Sequence, residues 1–491
     1  MRAQDVLPKI KNGDMQKQTT LLLLLLAVVV SSATAQSQRW TLQECIEYAR
    51  QNNLAIKQSQ IQIRTAELNK KENQFSRLPN LNANARGGYQ FGRTIDPTTN
   101  TFNNQRIGFN SYSIDAGVTL YNGGLINRSI DQNDLDARAA RLQTDATAND
   151  IALNIANAYL SILLAQEQLD NARANLRLSE EQLEQTDKLI RAGSLPENDR
   201  LDILSQIALN EQAIIDAQNQ VALNTLNLKQ LMQLDPKEDL QIIRPEFLEM
   251  PDNIDPTSLR LDEVFSVAIQ TQPQIRAAEL RMQSAKVGKD IAKAGFLPSL
   301  SLFANLNSNY SSAFSRPGDF GLTAPQPVVI NGDQATIQTF SPTDFEQIEY
   351  TNQIDQNFGQ VVGVNLSIPI YSRHRNRVNV ERSELNILNA EIDSRQQQQQ
   401  LKTNVQRAIA DTKAAFKSMN AAERSVEAAE VAFENAQKRF DLGAINTLEL
   451  TTARNTLDQA RIDLIRSKYQ YIFNLKTVDF YLGKALELET E

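Results

Sequence analysis

The sequence predicts a mixed fold: long coiled-coil helices joined to a few amphipathic β-strands of membrane-crossing length, built twice in tandem. Three observations predict it. A secretory leader precedes the body of the chain, the body repeats itself at a constant shift, and within each repeat the hydrophobic period switches between seven and two. Composition agrees, because 41% of the 491 residues are hydrophobic but only 6% aromatic, which is thin for several conventional globular cores. With 18 Gly and 15 Pro, the chain is neither collagen-like nor loop-rich. A formal net charge of -8 argues against a phosphate-tracking surface, which needs clustered Lys and Arg, so nucleic acid is not expected as a partner. One Cys and one His leave no intrachain disulfide and no Cys/His zinc cage, and no metal, cofactor or catalytic centre is expected.

The leader comes first. Lys17 precedes the apolar run Leu21 to Val30, and the small residues that follow end in Ala33-Thr34-Ala35, the A-x-A pattern of a signal-peptidase site. Residues 1–35 therefore read as a signal peptide with an upstream extension, with Met15 as the initiator and a mature chain beginning near Gln36. A run of this length falls short of the ~20 residues that a spanning helix needs. No later stretch offers 18 consecutive apolar residues, so the exported chain is either soluble or inserted as a barrel.

Two repeats follow. Leu42, Ala49, Ile56, Ala66, Leu78 and Pro79 recur as Leu261, Ala268, Ile275, Ala285, Leu297 and Pro298, a shift of 219. Further on, Leu120, Tyr121, Ile155, Ala158 and Gly193 recur as Ile370, Tyr371, Val405, Ala408 and Gly443, a shift of 250. The first repeat is placed at 36–234, a turn-rich linker at 235–258 and the second repeat at 259–491, with an insertion of about 31 residues around the Pro/Gly/Asp-rich stretch Ser315 to Asp333. That connection, Ser311 to Asn357, is expected to be an extracellular loop partly covering a barrel mouth.

Strands are predicted where the period becomes two. Leu81, Ala83, Ala85 and Tyr89 alternate with Asn80, Asn82, Asn84 and Arg86, and Tyr112, Ile114, Ala116 and Val118 with Ser111, Ser113, Asp115 and Gly117. Similar alternation runs over Leu300 to Tyr310 and Phe358 to Ile370. Each segment has the length of a tilted membrane strand with an apolar face for lipid and a polar face for a lumen, although a half-buried soluble hairpin shows the same alternation. Helices are predicted elsewhere from heptads: Ile155, Ile162, Leu169, Leu176, Leu183 and Ile190, answered by Val405, Met419, Val426, Phe433 and Phe440, broken only by Thr412. The rhythm continues through Ile207 to Leu228 and through Leu457 to Val478, so each half contains a helical hairpin. No Pro or Gly interrupts Leu125 to Ala192. Cys45 reads as a small buried residue of an amphipathic helix, and His374, between Arg373 and Arg375, as a surface residue rather than a general base.

Several motifs together resemble the TolC family of outer-membrane efflux proteins. Leu78-Pro79-Asn80-Leu81 and Leu297-Pro298-Ser299-Leu300 resemble its helix-to-strand passage, and Leu120-Tyr121-Asn122-Gly123-Gly124 its strand-to-helix exit. The second exit, Ser367 to Tyr371, matches, but Arg373 and His374 replace the glycines. Arg191-Ala192-Gly193-Ser194-Leu195 and Asp441-Leu442-Gly443-Ala444-Ile445 resemble the family's hairpin tips. The resemblance covers residues 40 to 483 and implies an outer-membrane β-barrel of four strands per chain, twelve in a homotrimer, continuous with a periplasmic α-helical coiled-coil barrel. Physics leans the same way, since four strands cannot close a barrel without leaving edges unpaired in lipid. The implied function is the outer-membrane exit duct of a tripartite efflux system. Its partners would be a periplasmic adaptor, an inner-membrane pump and outer-membrane lipid. An exit duct for type I protein secretion and a structural coiled-coil envelope protein are the alternatives.

The resemblance also implies sites. Gly193 and Gly443 interrupt helices where the chain reverses, as a residue without Cβ favours. Beside them, Ser194, Leu195, Ala444 and Ile445 are expected to dock the adaptor, with Leu195 and Ile445 as exposed apolar contacts. The family carries an acidic residue six positions after the tip glycine at its periplasmic constriction, which corresponds here to Asp199 and Glu449. The family's second acid in the later hairpin is Thr452 here, with Asp202 of the first hairpin as a partial substitute. Acidic residues early in a helix also complement its dipole, whatever else they do.

Overall fold

The structure, a computed structural model, describes residues 39–95, 102–104, 106–194, 196–244, 256–484 and 486. The expected leader, Leu195 and part of the linker lie outside them. The helices are α1 (Leu42–Asn52), α2 (Leu54–Phe75), α3 (Leu125–Arg191), α4 (Asn198–Met232), α5 (Leu261–Thr271), α6 (Pro273–Ala294), α7 (Arg375–Asp441) and α8 (Thr447–Tyr481). The duplication is visible in their lengths: 11 residues in α1 and α5, 22 in α2 and α6, 67 in α3 and α7, and 35 in α4 and α8. The chain forms two compact units, one of residues 1–62, 141–277 and 395–491, the other of residues 63–140 and 278–394, so each draws on both halves.

The first unit is helical. α1 starts at a capping box in which the Thr41 hydroxyl accepts from the Glu44 amide (3.2 Å) while the Glu44 carboxylate accepts from the Thr41 amide (2.8 Å). Its buried stripe, Leu42, Cys45, Ile46 and Ala49, packs into one cluster with Ile155, Tyr159, Ile162 and Leu163 of α3 and Leu228 and Met232 of α4. Burying each such Leu or Ile contributes roughly 1.5–3 kcal/mol. By length and composition α3 is apolar enough to cross a membrane, yet these residues spend its apolar face on the core. The Tyr159 hydroxyl donates to the Ile243 carbonyl (2.6 Å), with the Trp40 carbonyl 3.1 Å away, where Arg39–Trp40 and Gln241–Ile242 pair as short parallel strands. Burial, reinforced by the Glu44 charge, pushes the Cys45 thiol up to about 12 and leaves it inert. The second half repeats the arrangement with Val264, Ala268 and Ile275 against Leu401, Val405, Ile409 and Val478. Thr412, the break in the heptads, is buried, and its hydroxyl donates to the Ala408 carbonyl (2.7 Å).

The second unit holds an antiparallel sheet of β1 (Asn80–Gln90), β2 (Ile107–Asn122), β3 (Ser299–Ser311) and β4 (Gly359–Ser367), in the order β4-β3-β2-β1. The register pairs Ala83 with Ile114, Ile114 with Leu306, Val118 with Leu302 and Leu302 with Val364, so one face gathers apolar residues from all four strands. The other face is mainly polar, with Phe109, Phe303 and Val361 among its polar side chains. There Asp115 accepts from Asn305 (2.6 Å), Asn84 (3.1 Å) and Ser113 (3.0 Å), tying three strands together. β1 and β4 are edges, each with a partner on one side only.

The connection from β3 to β4 is itself built of paired strands. Residues Ser315–Pro317 pair with Phe345–Gln347, Phe320–Leu322 with Phe340–Pro342, and Gln326–Ile330 with Asp333–Ile337, making one long hairpin arm. It turns at Asn331 (φ 55°) and Gly332 (φ 96°), the two positive angles of a type I′ turn, and a short helix, Tyr350–Gln356, leads back to β4.

At the strand-to-helix exits the halves solve one geometry with different residues. Gly123 (φ 69°) and Gly124 (φ 80°) are left-handed, and so are Arg373 (φ 53°) and His374 (φ 64°) at the same positions of the second half. A Cβ on Gly123 would sit 2.8 Å from the Leu297 Cβ and 3.0 Å from the Ala294 carbonyl oxygen, so glycine is needed there for space as well as for φ. Arg373 and His374 are exposed and carry only the backbone strain. Left-handed backbone costs a residue with Cβ roughly 1–2 kcal/mol, part of which glycine returns as chain entropy. Arg373→Gly and His374→Gly should each therefore stabilise the protein by roughly 0.5–1 kcal/mol, whereas Gly123→Ala should destabilise it by about 2 kcal/mol. Urea unfolding in detergent checks this, and a loss of stability in both glycine variants contradicts it.

Candidate functional site

The hairpin tips lie in the first unit. α3 ends where the Gly193 amide donates to the Ile190 carbonyl (2.9 Å) and the Ser194 amide to the Leu189 carbonyl (2.9 Å), the paired bonds of a Schellman turn. α7 ends the same way, with Gly443 on Phe440 (2.8 Å) and Ala444 on Arg439 (2.8 Å). Gly193 (φ 73°) and Gly443 (φ 69°) are left-handed with open space around the missing Cβ, so only φ demands glycine at the tips. Ser194 and Ala444 are exposed, whereas Ile445 is half-buried, unlike its expected exposure. The exposed apolar residues of the second tip are instead its neighbours Leu442 (83% exposed) and Leu448 (69%). The turn places Ile445 next to the buried Thr447, and the flanking leucines face outward.

The three carboxylates sit just inside the returning helices. Asp199 is in the first turn of α4 and half-buried, Asp202 is exposed one turn later, and Glu449 is exposed in the first turn of α8. The Asn446 side chain caps α8 by accepting from the Glu449 amide (2.9 Å), whereas α4 lacks a side-chain cap. None of the three has an ion-pair partner among the described residues, although Arg200 beside Asp199 is held by Asp187 (3.2 Å) across the first hairpin.

Sequence reasoning passed over Arg454. It stands between Leu450 and Leu457 at a heptad seam position, where the pattern asks for an apolar residue, and a charge there was the available signal. Its side chain is buried and reaches from α8 to α3, donating to the Asn175 carbonyl (2.7 Å) and the Gln182 side-chain oxygen (3.2 Å). Asn210 of α4 donates to the same carbonyl (3.2 Å) and to Ser179 (2.7 Å), so three helices share one polar belt behind the tips. Burial pushes the Arg454 guanidinium down and the Asp458 carboxyl up, and each opposes the shift of the other across 3.9 Å. Gln182 Nε2 and the hydroxyls of Thr186 and Thr447 are buried without hydrogen-bond partners among the described residues, which weakens the packing there. Among the described residues no group of His, Cys, Asp or Glu could hold a metal ion.

Helices duplicated at constant shift, the four-stranded sheet and the paired tips recur in known proteins. The family model for outer membrane efflux proteins matches residues 45–232 and 264–484, most of the chain in two blocks. The chain belongs to the outer membrane efflux protein family. The efflux protein is therefore an outer-membrane protein that extends into the periplasm, and its sheet is the membrane part. Its fold is that of CusC, with 17% identity, a TM-score of 0.70, and 92% of this chain and 96% of that one covered. VceC of Vibrio cholerae matches at 16% identity and a TM-score of 0.70, over 91% of this chain and 97% of the other. The outer-membrane channel CmeC of Campylobacter jejuni matches at 16% and 0.68, over 92% and 87%. No curated protein matches the chain.

The polar belt yields a stability test. Arg454→Ala takes the cation from beside the half-buried Asp458 and a donor from the Gln182 side-chain oxygen and should cost about 3 kcal/mol, whereas Arg454→Met, which keeps the volume, should cost less. Denaturant titration of the detergent-extracted efflux protein measures both, and equal losses would show that the charge and hydrogen bonds of Arg454, with no share from the packing of its stem, hold the belt.

Proposed function

We propose that the efflux protein is the outer-membrane exit duct of a tripartite system, a homotrimer whose shared barrel continues into a periplasmic tunnel. Small molecules would pass from an inner-membrane pump, through a periplasmic adaptor and this duct, to the exterior, with the energy supplied by the pump. The single observation that carries the reading is the sheet with two free edges: a chain destined for lipid must join these edges to those of other copies. Three copies give twelve strands with the apolar face outward and the Asp115 face lining the lumen. A coiled-coil envelope scaffold has no use for such a sheet. A duct for secreted proteins would share the geometry, and the family's efflux description favours the smaller cargo.

In this reading the exposed tips dock the adaptor through Gly193, Ser194 and Leu195 and through Gly443, Ala444 and Ile445, with Leu442 and Leu448 as further apolar contacts. Asp199, Asp202 and Glu449, repeated around the trimer axis, form the periplasmic constriction and favour cations. Their lack of partners supports a role beyond ion pairing within the chain. Ser194→Glu with Ala444→Glu should abolish efflux while leaving trimers in the outer membrane; efflux that survives both places the adaptor elsewhere. Asp199→Asn with Glu449→Gln should weaken the cation preference read from bilayer reversal potentials across a KCl gradient. An unchanged preference would assign these carboxylates to the helix dipoles alone.

A further inference from the structure

The hairpin arm exposes more apolar surface than a two-stranded ribbon can carry alone. In the ladder at its root Pro317 lies opposite Phe345, whereas the next pair, Arg316 and Glu346, forms a salt bridge (2.9 Å). In the middle ladder Leu322 lies opposite Phe340 on the side that also carries Phe320, which stacks on Phe340 with centroids 5.9 Å apart. Leu322 is 63% exposed and Phe340 69%. Isolated two-stranded hairpins are marginal in water, and a clustered apolar surface of this kind marks a contact. The arm therefore needs a cover.

A matching surface lies at the same end of the sheet, on the opposite edge. β1 ends at Tyr89 and Gln90, and the connection that follows exposes Phe91, Ile95 and Phe102. Arg93 lies over the Phe102 ring (4.4 Å) and Arg106 over the Tyr89 ring (4.7 Å), so the surface is aromatic and positively charged. Between Phe91 and Arg106 the sequence has two arginines and one acid, Asp96, whereas the arm from Ser315 to Gln347 has one arginine against Asp319, Asp333, Asp344 and Glu346. The charges are complementary. Both surfaces are exposed although they belong to one chain, so none of the described residues covers the arm.

Joining copies supplies the cover. The arm emerges beside Gly359, the first residue of edge strand β4, and in the antiparallel sheet this end of β4 lies at the same end as Gln90, the last residue of edge strand β1. Pairing β4 of one copy with β1 of the next thus brings the root of the arm beside the neighbour's aromatic turn. We propose that the arm of each copy seats on Tyr89, Phe91, Ile95 and Phe102 of the neighbouring copy, clasping each seam of the assembly at its extracellular end. The clasp rests on the trimeric duct proposed above.

Photocrosslinking of the full-length protein in outer-membrane vesicles tests it. Phe340 is replaced by a benzophenone-bearing amino acid, and the mass of the detergent-extracted complex is measured by light scattering before irradiation. The expected result is a trimer that yields covalent dimers and trimers, with adducts on the peptides of a second copy that carry Phe91 or Phe102. Phe102→Asp in the same background should abolish the adduct without dissociating the trimer. If the trimer forms but the label is found on its own chain, on another arm, on lipid or nowhere, or if the adduct survives Phe102→Asp, the clasp is wrong. A complex of any other size overturns the trimeric duct itself, and the clasp with it.

Discussion

Two strand edges govern this protein. β1 and β4 flank a sheet that gathers apolar residues on one face, and among the described residues no strand pairs with their outer sides. In hydrocarbon each unsatisfied group costs several kcal/mol, more than any single side-chain contact described above contributes. A barrel closed by several copies removes the cost entirely. The rest of the molecule is consistent with that demand: one apolar sheet face, one polar face tied at Asp115, and helices that pass from strand to coiled coil through fixed turns.

Duplication lets one design meet the demand twice per chain, and the places where the halves differ show where the physics differs. At the exits, crowding by Leu297 and Ala294 requires glycine at position 123, while the open second exit tolerates Arg373 and His374 at a cost in backbone strain. At the tips, both halves use the same Schellman turn, but only α8 receives a side-chain cap, from Asn446. Between β3 and β4 the second half builds an arm of three ladders, where the described residues of the first half form one short ladder, Arg93–Ile95 with Phe102–Asn104. Behind the tips the apolar seam gives way to the Arg454 belt with its three unpartnered polar atoms. Packing that is apolar at Ile155 and Val405 and polar at Arg454 makes the tip end the softer one.

Much of this is legible in the residues, because periodicity is a global signal. The heptads from Ile155 and from Val405, the alternation at Leu81 and Leu300, and Gly193 and Gly443 place helices, strands and tips directly, and the repeat shift predicts equal helix lengths. What escapes is local or collective. The arm is made of ladders of three to five residues, too short for alternation to stand out, and its one strong mark, Asn331-Gly332 after the apolar run Val328-Val329-Ile330, is hidden in a stretch that reads as turn-rich. Arg454 escapes because the heptad was followed through Leu457, Leu464 and Tyr471, the other seam position being left unread. Ile445 escapes because exposure at a tight turn depends on which way the chain leaves it. The roles of Asp199, Asp202 and Glu449 depend on neighbours that a single chain does not contain.

Cryo-electron microscopy of the protein in lipid nanodiscs bears most directly on the claim that the open edges dictate the assembly. The account predicts a closed twelve-stranded barrel of three copies, with each Gly359–Ser367 strand hydrogen-bonded to Asn80–Gln90 of the next copy. A particle in which either edge strand is left unpaired in the bilayer, or is sealed by some other part of its own chain, would contradict it.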